Sequence, residues 1–248
     1  LQAAFYFIGV AMNTLVYRAD ERGYANHGWL KTFHSFSFAS YFNPNKMGFG
    51  ALRVLNDDTV EGGMGFGSHP HNNMEIISIP LKGALLHKDD QENEKVIQSN
   101  EVQIMSAGTG IMHSEYNASK SERVNFLQIW ILPKDKNTQP RYDQKIFPVE
   151  NRKGEWQILV SPTGEMGSLW INQDAVIVRI SLSKNSSIDY KAKFDKSGFY
   201  LFVIEGDIKV KDHRLTRRDG LAITKTNQIS MTTFMDSDIL LIEVPMIS

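Results

Sequence analysis

Apolar residues along this chain fall in short runs, and turn-forming residues punctuate those runs at close intervals. Residues 50–56, 74–81, 83–88, Glu94–Gln98, Glu101–Ser106 and 126–132 are short and rich in Ile, Val and Leu, the composition of strands. The polar stretch Asp89-Asp90-Gln91-Glu92-Asn93 separates two of them and predicts a hairpin tip. Residues 134–141 are polar and aperiodic, with Pro133 just before them and Pro140 among them, and read as a linker. The rhythm then resumes in 155–160, 175–182, 198–204, 208–211, 221–224 and 239–244, with Gly206-Asp207 and Asp219-Gly220 as turn signals. No long segment keeps a 3.6-residue apolar period, so helix is expected to be minor. Many short strands with regular turns predict an all-β chain of sandwiches or barrels. Two such sets predict two similar domains, an old duplication. The expected division is a first domain over 12–135, a linker over 136–144 and a second domain over 145–248.

Composition narrows the function classes. With 248 residues, 42% hydrophobic and 22% charged, the chain can bury a sizeable core. A formal net charge of −1 lacks the basic excess of a nucleic-acid or anionic-membrane binder. There are no cysteines, which removes disulfides, zinc-thiolate sites, iron–sulfur clusters and thiol nucleophiles together. Any metal must be held by nitrogen and oxygen. Leu1 is not a start residue, and residues 3–12 are mostly apolar without a basic n-region or small-x-small cleavage site. That run is too short to span a bilayer. Residues 1–11 are therefore expected to be an upstream extension, absent from the native chain or disordered, with Met12 as the start; a hydrophobic arm or anchor is the rival reading. The expected location is cytoplasmic.

The seven histidines are unevenly placed. His69-Pro70-His71 is followed by Glu75, and His113-Ser114-Glu115 comes later. In an extended strand, residues at i and i+2 share a face, so His69 pairs with His71 and His113 with Glu115. Pro70 has no N–H and biases His69 toward extended geometry, which places this stretch at a strand start or bulge rather than mid-ladder. If the two strands face one another across a barrel mouth, three imidazoles and one carboxylate converge on a transition-metal site. Taken singly, a histidine is more often a structural hydrogen-bonder. Such readings suit His27 beside Gly28 and Trp29, and His34 among Phe33, Phe36 and Phe38. His87 either lines the pocket or bonds a loop, and His213 in its charged stretch reads as an exposed turn residue. Met64, Phe66 and Met105 suit an apolar pocket lining or the core.

The spacing Gly63-x5-His69-x-His71-x3-Glu75-x7-Gly83 resembles the first cupin motif. Gly108-Thr109-Gly110-x2-His113-x3-Asn117 resembles the second, with glycine where proline is common. Met64-Gly65-Phe66-Gly67 and residues 107–110 suit tight turns that deliver ligands at strand ends. His27-Gly28-Trp29-Leu30, His34-Ser35-Phe36-Ser37-Phe38, Met47-Gly48-Phe49-Gly50, His87-Lys88-Asp89, Met105-Ser106-Ala107 and Phe126-Leu127-Gln128-Ile129-Trp130 join these motifs. As a set, over residues 18–133, they are similar to the pirin family, particularly its bacterial quercetinase-like branch. Beyond the linker the likeness is mainly one of strand rhythm. Asn100 stands where a turn glycine is usual.

The resemblance implies a bicupin: two antiparallel β-barrels of jelly-roll type packed face to face, with metal in the first only. It implies His69, His71, His113 and Glu115 as ligands and Fe(II) as the usual metal; Ni, Cu, Mn, Co and Zn suit the same donors. Glu75, a ligand in many other cupins, is then a neighbouring or pocket residue. The second half has only His213 and no His-x-His, so it cannot repeat the site. Four protein ligands leave open positions on a six-coordinate ion. The resemblance implies a dioxygenase of the quercetin 2,3-dioxygenase type, cleaving a flavonol-like aromatic substrate with O2 to carbon monoxide and a depside. Glu115 or Glu75 would be the general base. A second implied reading is an iron-dependent redox sensor that binds a protein partner without turnover. A third is a cupin whose metal is only structural.

Overall fold

The strand rhythm is realised as twenty-two strands and three short 3-10 turns, without an α-helix among the described residues, in a computed structural model that describes residues 12–246. Glu94–Gln98 and Glu101–Ser106 have the expected bounds, and the other expected strands shift by a few residues at their ends. The expected extension, residues 1–11, lies outside the described residues. Among the described residues no helix is long and apolar enough to cross a membrane.

Four sheets form two barrels. In the first, a seven-stranded sheet runs in the order Arg141–Ile146, Glu101–Ser106, Glu75–Lys82, Val124–Ile131, Leu52–Val60, Leu30–His34, Gly23–Asn26. Its partner sheet has the order Gly65–His71, Ile111–Asn117, Ala84–Asp89, Glu94–Gln98. The second barrel repeats the plan. Its large sheet runs Asn13–Tyr17, Gly220–Thr224, Ser197–Glu205, Ser237–Pro245, Val176–Leu182, Gln157–Ser161, Leu169–Trp170. Its small sheet runs Ser187–Lys191, Gln228–Thr233, Asp207–Val210, His213–Thr216. This is a bicupin, and the two orders match position for position.

Two segments cross the division drawn from the sequence. Asn13–Tyr17 precedes the first barrel in the chain but pairs antiparallel with Gly220–Thr224, completing the second barrel's large sheet. His213, expected as an exposed turn residue, is half-buried in His213–Thr216, with Nε2 2.7 Å from Thr14 Oγ1 of that incoming strand. The stretch 136–144 contains the start of Arg141–Ile146, which pairs with Glu101–Ser106 and forms the edge of the first barrel's large sheet. Its polar sequence hides it because no residue of this edge strand is fully buried.

Strand alternation then sorts the side chains. On one face of the first large sheet, Leu55, Ile77, Ile79, Val102, Ile104, Leu127 and Ile129 pack against Leu159, Ile177, Tyr200, Phe202, Leu240 and Ile242 of the second. That seam is the main core between the barrels. The opposite face of each sheet points into its own barrel. The second interior is one continuous apolar cluster, including Val178, Ile180, Phe199, Leu201, Ile229 and Met231. The first interior is split into two small clusters, one around Leu30, Val60, Leu85, Ile97 and Phe126, the other around Ile76, Met105 and Ile111. What lies between those two clusters is polar.

Candidate metal centre

The histidine-bearing strands are hydrogen-bonded neighbours, not opposites across a mouth. In the register of Gly65–His71 with Ile111–Asn117, His113 lies opposite His69 and Ile111 opposite His71. Gly65–His71 is the outer strand of its sheet, where a proline without an N–H breaks no interior ladder. A bulge between His113 and Glu115 adds a residue on the outer strand and re-aims the side chains that follow. The strands approach so closely that a Cβ on Gly65 would collide with the Glu115 carbonyl and with Tyr116. The turn before the second strand likewise needs Gly108, which has φ +47° and lies against the Thr138 carbonyl.

Three imidazoles converge. The ring centroids of His69 and His71 are 4.8 Å apart, of His69 and His113 4.5 Å, and of His71 and His113 4.9 Å. His69 Nδ1 donates to the Gly67 carbonyl at 2.7 Å, which leaves its Nε2 bare. That Nε2 lies 3.1 Å from His113 Nε2. His71 Nε2 is buried with no hydrogen-bond partner. Burial first, and the neighbouring imidazoles second, push His71 down to about 4 and His113 down to about 3. Both rings are therefore neutral near pH 7 and offer lone pairs. Two donors at right angles, each about 2.1 Å from one ion, lie about 3 Å apart, which matches the His69–His113 separation. A divalent cation satisfies the orphaned His71 nitrogen and the facing pair at once, so these residues fit a metal.

Glu115 is buried beside His113, on the next residue but one of the same strand. Ser78 Oγ donates to its Oε1 at 3.0 Å and Gln128 Nε2 to its Oε2 at 2.9 Å. A carboxylate has lone pairs beyond these two, so the fork is oriented without being used up. Glu115, His113 and His87 also form a close group of their own. Glu75 lies elsewhere. It shares a face with Ile77 and Ile79, at the seam, and accepts from Ser106 Oγ at 2.8 Å and from the Asn172 N–H of the second barrel at 3.3 Å. Burial raises its pKa, against those hydrogen bonds. The expectation of Glu75 as a pocket base therefore gives way: counting from Ser78, strand parity sends it to the other side of the sheet.

Several polar residues that the motifs do not contain surround the site. Cross-strand register lines up His34, Asn56, Gln128, Ser78, Gln103 and Gln144 in one row across the interior face of the large sheet. From this row Ser78 and Gln128 hold Glu115, and Gln103 Nε2 donates to His87 Nδ1 at 3.3 Å. His34 accepts the structural part expected of it, with Nδ1 2.9 Å from Asn56 Oδ1. One row on, Asp57 and Asp58 diverge. Asp57 points to the seam, where Arg218 Nε lies 2.9 Å away and Arg22 Nη1 3.5 Å away. Asp58 points inward with Oδ1 unpartnered, and its carboxyl is pushed up to about 7 by burial, opposed by the Thr32 hydroxyl and assisted by Asp57 and Glu115.

Asp58, Asn56, Thr32 and His34 line a cavity of about 470 Å³ whose apolar walls are Trp29, Leu30, Phe38 and Phe66. That is a small-molecule volume. Phe66 lies opposite Glu115 in the strand register, so this wall of the cavity adjoins the strand that carries His113 and Glu115. Trp130 bridges the two, its ring 4.9 Å from His71 and 5.3 Å from Phe38. Of the expected lining residues, Phe66 is on this wall, Met105 is in the core, and Met64 is exposed in the loop before its strand. His27 is an exposed residue at the cavity rim.

Comparison with known proteins agrees with this architecture. The Pirin family profile matches residues 16–131, and the profile of the quercetinase C-terminal cupin domain matches residues 158–244. The chain is 43% identical over 228 residues to quercetin 2,3-dioxygenase of Escherichia coli strain K12, covering 92% of this chain and 97% of that relative. It is 40% identical over 225 residues to a pirin-like protein of Caulobacter vibrioides, covering 90% and 96%. The solved structure of the bacterial pirin YhhW from Escherichia coli in complex with nickel(II) superposes with a TM-score of 0.90 at 42% identity, covering 95% of this chain and all of that one. The two cupin barrels, the histidine cluster in the first and these relationships leave one assignment: the chain belongs to the pirin family.

Proposed function

We propose that this protein is a metal-dependent flavonol dioxygenase of the quercetin 2,3-dioxygenase type, with its ion on His69, His71, His113 and Glu115. The observation that carries the reading is the buried, unpartnered Nε2 of His71, set beside the rings of His69 and His113, with Trp130 between it and the Phe38 wall of an aromatic-walled cavity. The 43% identity to the Escherichia coli quercetin 2,3-dioxygenase supports the substrate class. Fe(II) is the first choice of ion on family grounds, and the nickel(II) complex of YhhW supports a site that takes other divalent ions.

When bound, the ion supplies Lewis acidity, which favours ionisation of an acidic hydroxyl and brings the reactants together. The chain does the rest. Trp29, Phe38 and Phe66 form flat apolar walls for the flavonol rings. Glu115 takes the 3-hydroxyl proton onto a carboxylate oxygen, held toward the substrate by Ser78 and Gln128. Trp130, packed on His71, keeps water from the developing anion. One O2 is consumed per flavonol, both its atoms enter the products, and carbon monoxide leaves from the opened ring beside the depside.

The test is anaerobic mixing of metal-loaded protein with quercetin, followed by oxygen, while the flavonol absorbance band is recorded. Metal-dependent bleaching with carbon monoxide release is the expected result. Binding of the ion without any bleaching would reject the dioxygenase reading.

A further inference from the structure

Beside the ligand cluster lies a histidine–carboxylate pair with no assigned role. His87 and Asp89 sit at i and i+2 of Ala84–Asp89, the same spacing that pairs His69 with His71 and His113 with Glu115. Both side chains are fully buried, and His87 Nε2 lies 2.9 Å from Asp89 Oδ2. The carboxylate is fixed from its other side. Oδ1 accepts from the N–H groups of Gln91 and Asn93 at 3.0 Å each, and Asn93 Nδ2 lies 3.0 Å from Oδ1 and 2.9 Å from Oδ2. The hairpin tip 89–93 thus exists, in part, to hold this carboxylate.

Donor and acceptor arithmetic runs from there to the metal cluster. An ionised carboxylate only accepts, so His87 Nε2 carries the proton between them. A neutral imidazole with Nε2–H has a bare, accepting Nδ1. That Nδ1 faces two groups, Gln103 Nε2 at 3.3 Å and His113 Nδ1 at 3.5 Å. The amide nitrogen of Gln103 can only donate, which agrees with an accepting Nδ1. His113 must then present Nδ1–H to His87, and its Nε2 is left bare, aimed at His69 Nε2 3.1 Å away. Tyr142 stacks on His87 with centroids 4.7 Å apart and holds the ring plane.

We propose that Asp89 and His87 form a positioning relay that fixes His113 as its Nδ1–H tautomer, so that His113 Nε2 is the nitrogen offered to the cation. This rests on the metal reading of the His69–His71–His113 cluster. The alternative use of His87, as a ligand together with His113 and Glu115, needs the Nδ1 lone pairs of both rings. It would withdraw His113 from His69 and His71 and leave the His71 nitrogen buried without a partner. Metal-binding imidazoles are commonly oriented through the second ring nitrogen, and loss of such a partner typically lowers metal affinity about 10- to 100-fold.

Asp89→Asn tests the relay with almost no change of shape. The backbone N–H groups of Gln91 and Asn93 keep the amide oxygen on their side, so the amide nitrogen faces His87 Nε2 and donates to it. His87 is then forced into its Nδ1–H tautomer, which opposes His113 Nδ1–H, the inversion known for Asp→Asn changes beside a histidine. Two readouts apply: the histidine side-chain ¹H–¹⁵N spectrum of the metal-free protein, and the affinity for Zn(II) by chelator competition.

In the wild type, His87 is expected as Nε2–H and His113 as Nδ1–H, with one Zn(II) bound. In Asp89→Asn the His87 tautomer inverts and Zn(II) affinity falls about 10- to 100-fold. His87→Gln, whose amide oxygen can accept from His113, retains affinity within severalfold, whereas His87→Leu does not. Wild-type protein with His87 as Nδ1–H, or Asp89→Asn with unchanged tautomers and wild-type affinity, would overturn the relay. Wild-type protein that binds no Zn(II) while its tautomers are as expected would overturn the metal reading instead, so the two failures are distinguishable.

Discussion

The two barrels share a strand order and differ in what fills them. In the second barrel, the strands that correspond to the histidine-bearing pair are Ser187–Lys191 and Gln228–Thr233. Their interior residues are Ile188, Tyr190, Ile229 and Met231, and they pack into a continuous apolar cluster. The second barrel does bury a carboxylate, Glu243, but gives it four donors: Tyr190 Oη at 2.7 Å, the N–H groups of Lys193 and Phe194, and Ser197 Oγ. Inside the first barrel, the buried polar atoms His71 Nε2, Asp58 Oδ1 and Gln103 Oε1 have no partner, whereas an unpartnered atom of the second half such as Tyr200 Oη lies at the seam and not in that barrel's apolar interior. A buried polar group without a partner costs about 1–3 kcal/mol. One barrel uses its interior for stability; the other holds unsatisfied groups there that a cation and a substrate can satisfy.

Removing the ion's donors is the strongest way to break that contrast. His71→Ala is expected to reduce metal stoichiometry from one toward zero and to lower flavonol bleaching by more than about 100-fold, beyond the loss typical of an outer partner. Metal analysis and the bleaching assay on the same sample check it, and full activity in a metal-free variant would sink the proposed function. Met231→Ala, on the corresponding strand of the second barrel, should do the converse. It is expected to cost about 2–5 kcal/mol of unfolding free energy by leaving a cavity. Metal stoichiometry should stay at one, as measured by urea titration and metal analysis.

The sequence made the chemistry of the first barrel legible where the information was local. His69-x-His71 and His113-x-Glu115 announce shared faces because strand side chains alternate, whatever the partner strand. His87-x-Asp89 carries the same signal, but a reading of His87 as a single residue passes over it. Register was not legible. That Ser78, Gln128 and Gln103 stand in one row depends on pairing among strands distant in sequence, and no run of residues states it. Parity was also missed for Glu75, since the motif counts residues and does not say which side of the sheet each faces. The edge strand Arg141–Ile146 escaped because polarity on both faces imitates a linker. Asn100, by contrast, keeps the left-handed turn expected of a glycine, at φ 70°, and accepts from Arg152 Nη2 at 2.9 Å.

Asp58 offers a sharper, pH-dependent test of the unsatisfied interior. Its folded pKa of about 7 stands above the reference value of 3.8. Below pH 4 both folded and unfolded states hold the proton, and the full stabilising contribution is present. As pH rises from about 4 to about 7, only the unfolded chain releases its proton, so stability falls; above about 7 both states are ionised and the loss is complete. Asp58→Asn has no proton to lose. Its stability relative to wild type is therefore expected to rise between pH 5 and pH 8 by about 3 kcal/mol, two pKa units at about 1.4 kcal/mol each. Urea unfolding of chelator-treated protein at both pH values measures it. Parallel behaviour of the two proteins would mean that Asp58 is solvated or paired in a way the cavity geometry denies.

The smallest expected effect is the most discriminating for the carboxylates. Glu75 and Glu115 are both buried acids near the motif histidines, and counting along the sequence does not separate them. Their partners do. Glu115 accepts from Ser78 and Gln128 inside the barrel, while Glu75 accepts from Ser106 and from the backbone of Asn172 across the seam. Glu75→Gln keeps an oxygen for those two donors, so it is expected to change stability by no more than about 1 kcal/mol. Bleaching rate and metal stoichiometry should be unchanged, because the residue faces the other barrel. Glu115→Gln removes the proton acceptor and the anionic donor together, and bleaching should be lost at saturating metal. Equal losses in the two variants would mean that the seam face of this sheet takes part in the chemistry, and the division of labour between the barrels would have to be redrawn along that face.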